Sequence, residues 1–227
     1  MKTHRLILLI VTAVIGFSSA VQSQDPVAGR PRFPCSNRFT LGGGVTQLLL
    51  GGFNVQAEYT TNRLVFDYSH GFNLRFSGQT ASTDAQAQNL NETLRSTLGI
   101  GIGYRITPAL DVRFEPKLHS YEVYYNGGVE TAANRLTSYR TVTLGVGAYY
   151  RYYPFRRQEN ALAGILILPS VRYWPNVGSS LADNKLTYAN RTTNRTETYR
   201  AATQGIAGTG GLFANVTIGY TFGWRKK

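Results

Sequence analysis

The sequence predicts an all-β chain folded into a closed antiparallel up-and-down transmembrane β-barrel. Three observations carry the prediction. Apolar and polar residues alternate with a period of two along many segments, the mark of strands with two unlike faces. Those segments exceed the about five or six residues usual in soluble sheets and match the about 9–11 that cross a bilayer at a tilt. The polar links between them alternate short and long, as expected when one rim of a membrane barrel carries tight turns and the other long loops.

Composition narrows the alternatives. The chain has 227 residues, 42% hydrophobic, 12% aromatic and 16% charged, enough for one domain and too apolar and aromatic for disorder. A mean hydropathy of -0.21 excludes a polytopic helical membrane protein. One cysteine, Cys35, excludes a disulfide scaffold and a multi-thiolate metal site. The formal charge of +12 raises nucleic acid or an anionic membrane surface as a partner, so the placement of the basic residues matters.

The first 20 residues read as a cleaved secretory signal. Lys2, His4 and Arg5 precede an apolar run from Leu6 to Phe17, and Ser18 and Ala20 supply the small residues of a cleavage site, with a second acceptable cut after Ser23. The run is too short for the about 20 residues of a spanning helix. Residues 21–37 form a periplasmic lead, residues 38–224 the barrel and 225–227 a basic tail. Cys35 lies too far past the cut to be the lipidated first residue of a lipoprotein.

The strands follow in order at 38–46, 53–60, 63–76, 93–106, 110–125, 136–153, 161–178 and 211–224, eight in total, with ten the alternative if a hairpin in the last loop joins the wall. Glycines at 42–44 and 51–52 around Leu48-Leu49-Leu50 leave the first hairpin open to a loop, a bulge or a displaced turn. In the third strand Leu64, Phe66, Tyr68, His70, Phe72, Leu74 and Phe76 share one face. In the fourth, Leu94, Leu98, Ile100, Ile102 and Tyr104 oppose Gly99, Gly101, Gly103 and Arg105. The fifth sets Val112, Phe114 and Leu118 against Asp111, Arg113, Glu115 and Lys117, and the sixth sets Val142, Leu144 and Val146 against Thr141, Thr143 and Arg151. The seventh is less clean, with Ile165, Ile167, Val171 and Tyr173 on one face but Leu166 and Leu168 on the other. The last runs Leu212, Ala214, Val216, Ile218, Tyr220, Phe222 and Trp224 along one face.

Parity assigns the chemistry of the two faces. Glu58, Asp67, Arg105, Asp111, Arg113, Glu115, Lys117 and Arg151 fall on the lumen side, and an eight-stranded barrel is only wide enough for side chains. A mutually paired plug is therefore expected, because an unpaired buried charge is costly. Aromatics are expected in two girdles. Phe39, Tyr59, Tyr104, Tyr150, Tyr152, Phe155, Tyr220, Phe222 and Trp224 fall near the turns, and Phe72, Phe76, Tyr124, Tyr139, Tyr173 and Trp174 near the loops. Arg135, Arg140, Arg172, Lys185, Arg191, Arg195 and Arg200 gather at or above the outer boundary, as candidates for binding lipopolysaccharide phosphates. A soluble β-sandwich or lipocalin-like barrel is the competing architecture. It fits poorly with apolar faces on nearly every long strand set against charged opposite faces.

The signal segment, membrane-length alternating strands, unequal loops and terminal Tyr220-x-Phe222-x-Trp224 together resemble the small bacterial outer-membrane β-barrels, the class of OmpX and the OmpA membrane domain. The loop arrangement and glycine-rich first hairpin are also similar to barrels of Bacteroidetes-type bacteria. The resemblance implies a bacterial outer-membrane location and a monomer. It also implies that Tyr220, Phe222 and Trp224 are the signal read by the barrel-assembly machinery, although Arg225, Lys226 and Lys227 follow the final aromatic, where the class usually ends on it.

For function the sequence predicts a non-enzymatic envelope-structural or surface-interaction role, with outer-membrane lipid, lipopolysaccharide and an external protein at the loops as partners. A porin-like solute channel is the runner-up and a lipid A-modifying acyl hydrolase or transferase the third reading. The third is weakened because Ser69 beside His70, and Ser120 beside His119, must point to opposite faces of a strand. No catalytic residue, metal-ligand set, cofactor site or nucleic-acid motif is expected.

Overall fold

The computed structural model describes residues 37–222 apart from 159 and 207. The expected signal segment, Cys35, Trp224 and the basic tail lie outside the described residues, as does nearly all of the expected 21–37 lead.

The wall is an eight-stranded closed antiparallel barrel. Its strands are β1 (Arg38–Gly44), β2 (Phe53–Thr60), β3 (Leu64–Phe76), β4 (Leu90–Arg105), β5 (Leu110–Tyr125), β6 (Arg135–Tyr150), β7 (Ile165–Tyr173) and β11 (Leu212–Phe222). Each pairs with its sequence neighbour, and β1 closes on β11 in a continuous register from Phe39↔Phe222 to Gly44↔Thr217. A further short strand, β8 (Asn176–Ser179), resumes the course of β7 after Trp174-Pro175 and pairs with β6. The remaining pair, β9 (Lys185–Asn190) and β10 (Arg195–Arg200), forms a separate hairpin that does not enter the wall, which excludes ten wall strands.

Local chemistry fixes the two rims. At one, Thr61 and Thr107 close tight turns, with Thr107 Oγ1 accepting the N–H groups of Ala109 and Leu110 at 3.2 and 2.9 Å. At the other, the β1–β2 link contains one helical turn, Val45–Leu49, that buries Gln47 and exposes Leu48 and Leu49. Long loops at 77–89, 126–134 and 180–211 complete that rim.

The outer surface carries the apolar belt. Leu98, Ile100, Ile102 and Tyr104 on β4 and Ile106 just past its end, with Leu64, Phe66 and Tyr68 on β3 and Val142, Leu144 and Val146 on β6, all face outward. At about 3.3 Å per residue and about a 40° tilt, the steps from Leu98 to Ile106 rise about 20 Å, most of the about 25 Å of the hydrocarbon-facing band of membrane barrels. Its upper limit is a row of registered residues, Phe72, Ser96, Ser120 and Arg140. Strands β3 to β6 continue beyond this row, while β1, β2, β7 and β11 do not.

Above the row, the side-chain parity inverts on two strands. Asn73, with φ 51°, and Arg95 drop out of the β3–β4 ladder together, and the β4–β5 register shifts between Leu94 and Ser96. Leu74, Phe76 and Leu94, expected on the outer face, consequently turn inward. With Leu90, Tyr121, Val123, Tyr139 and Tyr199 they build an apolar core beneath the outer loops. The expected outer girdle is correspondingly thinner. Tyr173 is exposed, whereas Phe76, Tyr139 and Trp174 are buried inside and Tyr124 is buried in polar contacts with Arg95 and Glu122.

Inside the wall, glycine opposes bulk. A Cβ at Gly99 would lie 2.7 Å from Lys117 Cγ, at Gly101 2.0 Å from an Asp67 carboxylate oxygen, and at Gly103 2.7 Å from Arg113 Cγ. Gly145 is tighter still, its Cβ position only 1.6 Å from Trp174 Cδ1. The glycines of β4 and β6 thus supply the space that long side chains of β3, β5 and the β7 end fill. Gly145→Val should expel Trp174 and cost about 1–3 kcal/mol, read as a lower urea midpoint for the folded band on unboiled gels.

Candidate functional site: a charged lumen beneath a covered mouth

The lower half of the lumen is a closed electrostatic circuit. Arg113 reaches Glu58 at 2.6 Å and Asp111 at 2.5 Å, and Arg151 reaches the same two carboxylates at 2.8 and 3.0 Å. Two guanidinium groups and two carboxylates from β2, β5 and the end of β6 therefore form a ring, each acid bridging both bases. Asp67 joins at 3.6 Å from Arg113. Gln56 donates to Glu58 at 2.9 Å, and Thr217 donates to Gln56 at 3.3 Å, which carries the network to β11.

A second cluster sits one layer higher. Glu115 accepts from the Tyr149 hydroxyl at 2.5 Å and from the Trp174 indole at 3.1 Å, with the Lys117 ammonium 3.9 Å away. Lys117 also donates to Ser69 at 2.9 Å and lies 4.1 Å above the Trp174 ring. Arg113 stacks 3.8 Å from the Tyr149 ring centroid, so the two clusters share an aromatic partition. Arg105 lies below both, where it donates to the Asn62 and Pro108 carbonyls at 3.0 and 2.8 Å and ties two turns together.

The eight lumen charges anticipated from parity all lie inside the wall. Arg172 departs from the sequence expectation of an outer-boundary residue. It is only 5% exposed and its guanidinium lies 4.7 Å from the Trp174 ring, 5.4 Å from Tyr149 and 5.5 Å from Phe213. The reason is parity: Val171 and Tyr173 face outward, so Arg172 faces in, opposite the space left by Gly147. Tyr149 lies inside, on the lumen parity of β6. Trp174 and Arg172 are lumen residues that sequence reasoning missed, and alternation along β7 was the signal available for Arg172.

His119 is fully buried in the lumen with its Nε2 2.9 Å from Thr143 Oγ1, and His70 lies on the outer surface stacked on Phe72 at 3.9 Å. Ser69 faces inward and His70 outward, so the wall separates them. Among the described residues no group of three or more His, Cys, Asp or Glu is arranged to hold a metal ion.

The outer mouth is covered by the 77–89 loop and the β9–β10 hairpin. Buried Glu92 accepts from both the backbone N–H and the hydroxyl of Ser82, at 2.8 and 2.5 Å, and from the Tyr199 hydroxyl at 2.5 Å. Tyr139 bonds Tyr199 at 2.8 Å and accepts the Ala202 N–H at 2.9 Å. Gln88 bonds Thr198, Tyr188 and Asn190 of the hairpin. Burial pushes the Glu92 carboxyl above the usual range despite the hydrogen bonds that favour its charged form.

Outside the wall, above the belt, Glu122 pairs with Arg95 and with Arg135 at 2.7 Å, and Arg75 approaches Glu130 at 3.6 Å. Partial burial raises the Glu122 carboxyl, but hydrogen bonds from Tyr124, Arg95 and Arg135 outweigh it and hold the group below its usual range. Of the predicted basic surface residues, Arg135, Arg140, Lys185, Arg191, Arg195 and Arg200 are exposed. Arg191 lies 5.2 Å over the Tyr125 ring. Tyr220 and Phe222 face outward in an edge-to-face pair at 5.0 Å at the turn-side rim.

These features define a closed barrel with an apolar exterior and a polar, side-chain-lined interior. No protein-family model and no curated protein matches the chain in sequence. Among solved structures it is similar to a major outer membrane protein from Thermus thermophilus, at 11% identity and a TM-score of 0.45, over 82% of this chain and 100% of that one. It is also similar to the Yersinia pestis outer membrane protein Ail in a phospholipid bilayer nanodisc, at 14% identity and a TM-score of 0.34, over 83% of this chain and 100% of that one. The closure itself rests on the strand registers of this chain.

The ring of buried charges predicts an asymmetry in mutational cost. Arg113→Met strands Glu58 and Asp111 with one counter-charge fewer and should lose about 3–5 kcal/mol of stability. Arg135→Ala, at the half-exposed outer pair, should lose less than about 1 kcal/mol. Urea titrations of the two variants, followed by tryptophan fluorescence, measure the difference.

Proposed function

We propose that the protein is a monomeric outer-membrane barrel with a plugged lumen and a non-enzymatic role in envelope structure or surface interaction. In this reading it is exported by a cleaved signal within residues 1–20 and inserted by the barrel-assembly machinery, to which Tyr220 and Phe222 offer an outward aromatic pair. The observation that supports the plug most directly is the four-membered ring of Glu58, Arg113, Asp111 and Arg151, which joins β2, β5 and the end of β6 across the interior. Arg172, stacked among Tyr149, Trp174 and Phe213, and the apolar core under the outer loops supply two further layers of obstruction.

The outer surface suits anionic partners. Arg135 and Arg140 stand just above the apolar belt, at the level of lipopolysaccharide phosphates, and Arg75 and Arg95 extend the same basic collar on β3 and β4. Lys185, Arg191 and Arg195 project from the β9–β10 hairpin farther out, where an external protein would meet them. Arg200, at the end of that hairpin, stands beside Asp84 of the 77–89 loop.

Two measurements test the proposal. In planar bilayers the purified, folded chain should give no large, stable single-channel conductance, and such a conductance would replace the plugged reading with a porin-like channel. In cell fractions the chain should sit in the outer membrane and migrate faster before boiling than after, whereas a soluble periplasmic protein insensitive to boiling would remove the membrane assignment.

A further inference from the structure

The outer face contains a cleft that neither the lumen network nor the basic collar uses. It lies between the 77–89 loop and residues 200–206, 208, 210 and 211, and has a volume of about 340 Å3. That is near the lower end of the about 300–1,000 Å3 of small-molecule sites.

The cleft is preformed. Glu92 holds Ser82 on one wall and, through Tyr199 and Tyr139, Ala202 on the other. The Arg200 N–H donates to Asp84 at 3.0 Å across the rim. A small molecule entering this space does not have to order two free loops first, which lowers the entropic cost of binding.

Its lining selects a chemical class. Asp84 and Glu92 supply two carboxyl groups and Arg200 a guanidinium among the lining residues, so a ligand with a single net charge meets repulsion as well as attraction. The three hydrogen bonds from Ser82 and Tyr199 already engage the Glu92 carboxyl. Two lining residues, Tyr121 and Gln204, have a buried hydroxyl and a buried amide oxygen with no protein partner. A purely apolar ligand would leave both groups unsatisfied. Phe76 and Ile206 add apolar surface to the same lining. Donors, acceptors and apolar faces in one compact molecule are the chemistry of a pyranose ring.

We propose that this cleft binds a neutral saccharide unit, either as a free sugar or as part of a surface glycan chain. The proposal rests on the outer loops and stands or falls independently of the plugged lumen.

The test is saturation-transfer NMR on the full folded chain in dodecylphosphocholine micelles, which carry no sugar. The probes are the methyl glycosides of glucose, galactose and N-acetylglucosamine, and maltotetraose, with glucose 6-phosphate as the anionic comparison. At least one neutral probe should receive saturation. A response to a methyl glycoside points to a free-sugar site, and a response to maltotetraose alone points to a glycan-chain site. Gln204→Ala should weaken binding at least about fivefold, the loss of one hydrogen bond, and Thr203→Trp, which fills the cleft, should abolish it. Thr192→Ala, at the tip of the hairpin, should leave it unchanged. Absence of transfer to every neutral probe, equal binding by Thr203→Trp in a chain that still shows heat-modifiable mobility, or preference for glucose 6-phosphate would each overturn the assignment.

Discussion

Every backbone N–H and C=O within the hydrocarbon must find a partner inside the protein, and this constraint organises the whole chain. A sheet meets it only by having no edge. The decisive contact is thus the seam where β1 meets β11, between residues separated by most of the sequence. Thr40 and Thr221, whose hydroxyls lie 2.9 Å apart on the lumen side, stand in that seam's lower half. Once the seam is closed, each wall residue has one side toward lipid and one toward a narrow interior.

The interior then imposes its own requirements. A barrel of this size encloses space that side chains must fill, and the alternating face of each strand supplies polar ones. Charge satisfies charge in the Glu58, Arg113, Asp111 and Arg151 ring, while steric space is supplied by Gly99, Gly101 and Gly103 beneath the side chains of Lys117, Asp67 and Arg113. Glycine on a long membrane strand is therefore a packing partner here. Arg172, held by three aromatic rings, follows the same logic with π faces in place of carboxylates. The upper third obeys a different rule. There the strands have left the belt, the outer face meets water, and the inside becomes an apolar core that fastens the long loops.

Much of this was legible because alternation has only two phases. Along β5, Asp111, Arg113, Glu115 and Lys117 share one parity and one face, and no residue in the membrane-level part of the strand disturbs the count. The reading failed where the backbone itself changes phase. A single residue out of the ladder at Asn73, and another at Arg95, reverses Leu74, Phe76 and Leu94, and neither residue type announces a bulge in a strand that otherwise alternates. The contacts of Glu92 with Ser82 and Tyr199 were illegible for another reason. They join segments up to 107 positions apart through loops whose sequences have no period. The outer cleft inherits that opacity, since its lining is assembled from two such loops.

The central claim, that the first and last strands close the wall in the register described, is tested most directly by a disulfide across the seam. In a Cys35→Ser background, Thr40→Cys with Thr221→Cys places two thiols at a directly opposed pair facing the lumen. Mild oxidation of the membrane-inserted chain should convert nearly all of it to an internally cross-linked form, while Thr40→Cys with Gly219→Cys, two residues out of register, should cross-link poorly. Efficient linkage of the displaced pair, or none at the opposed pair in a chain that is folded and inserted, would contradict the closed register.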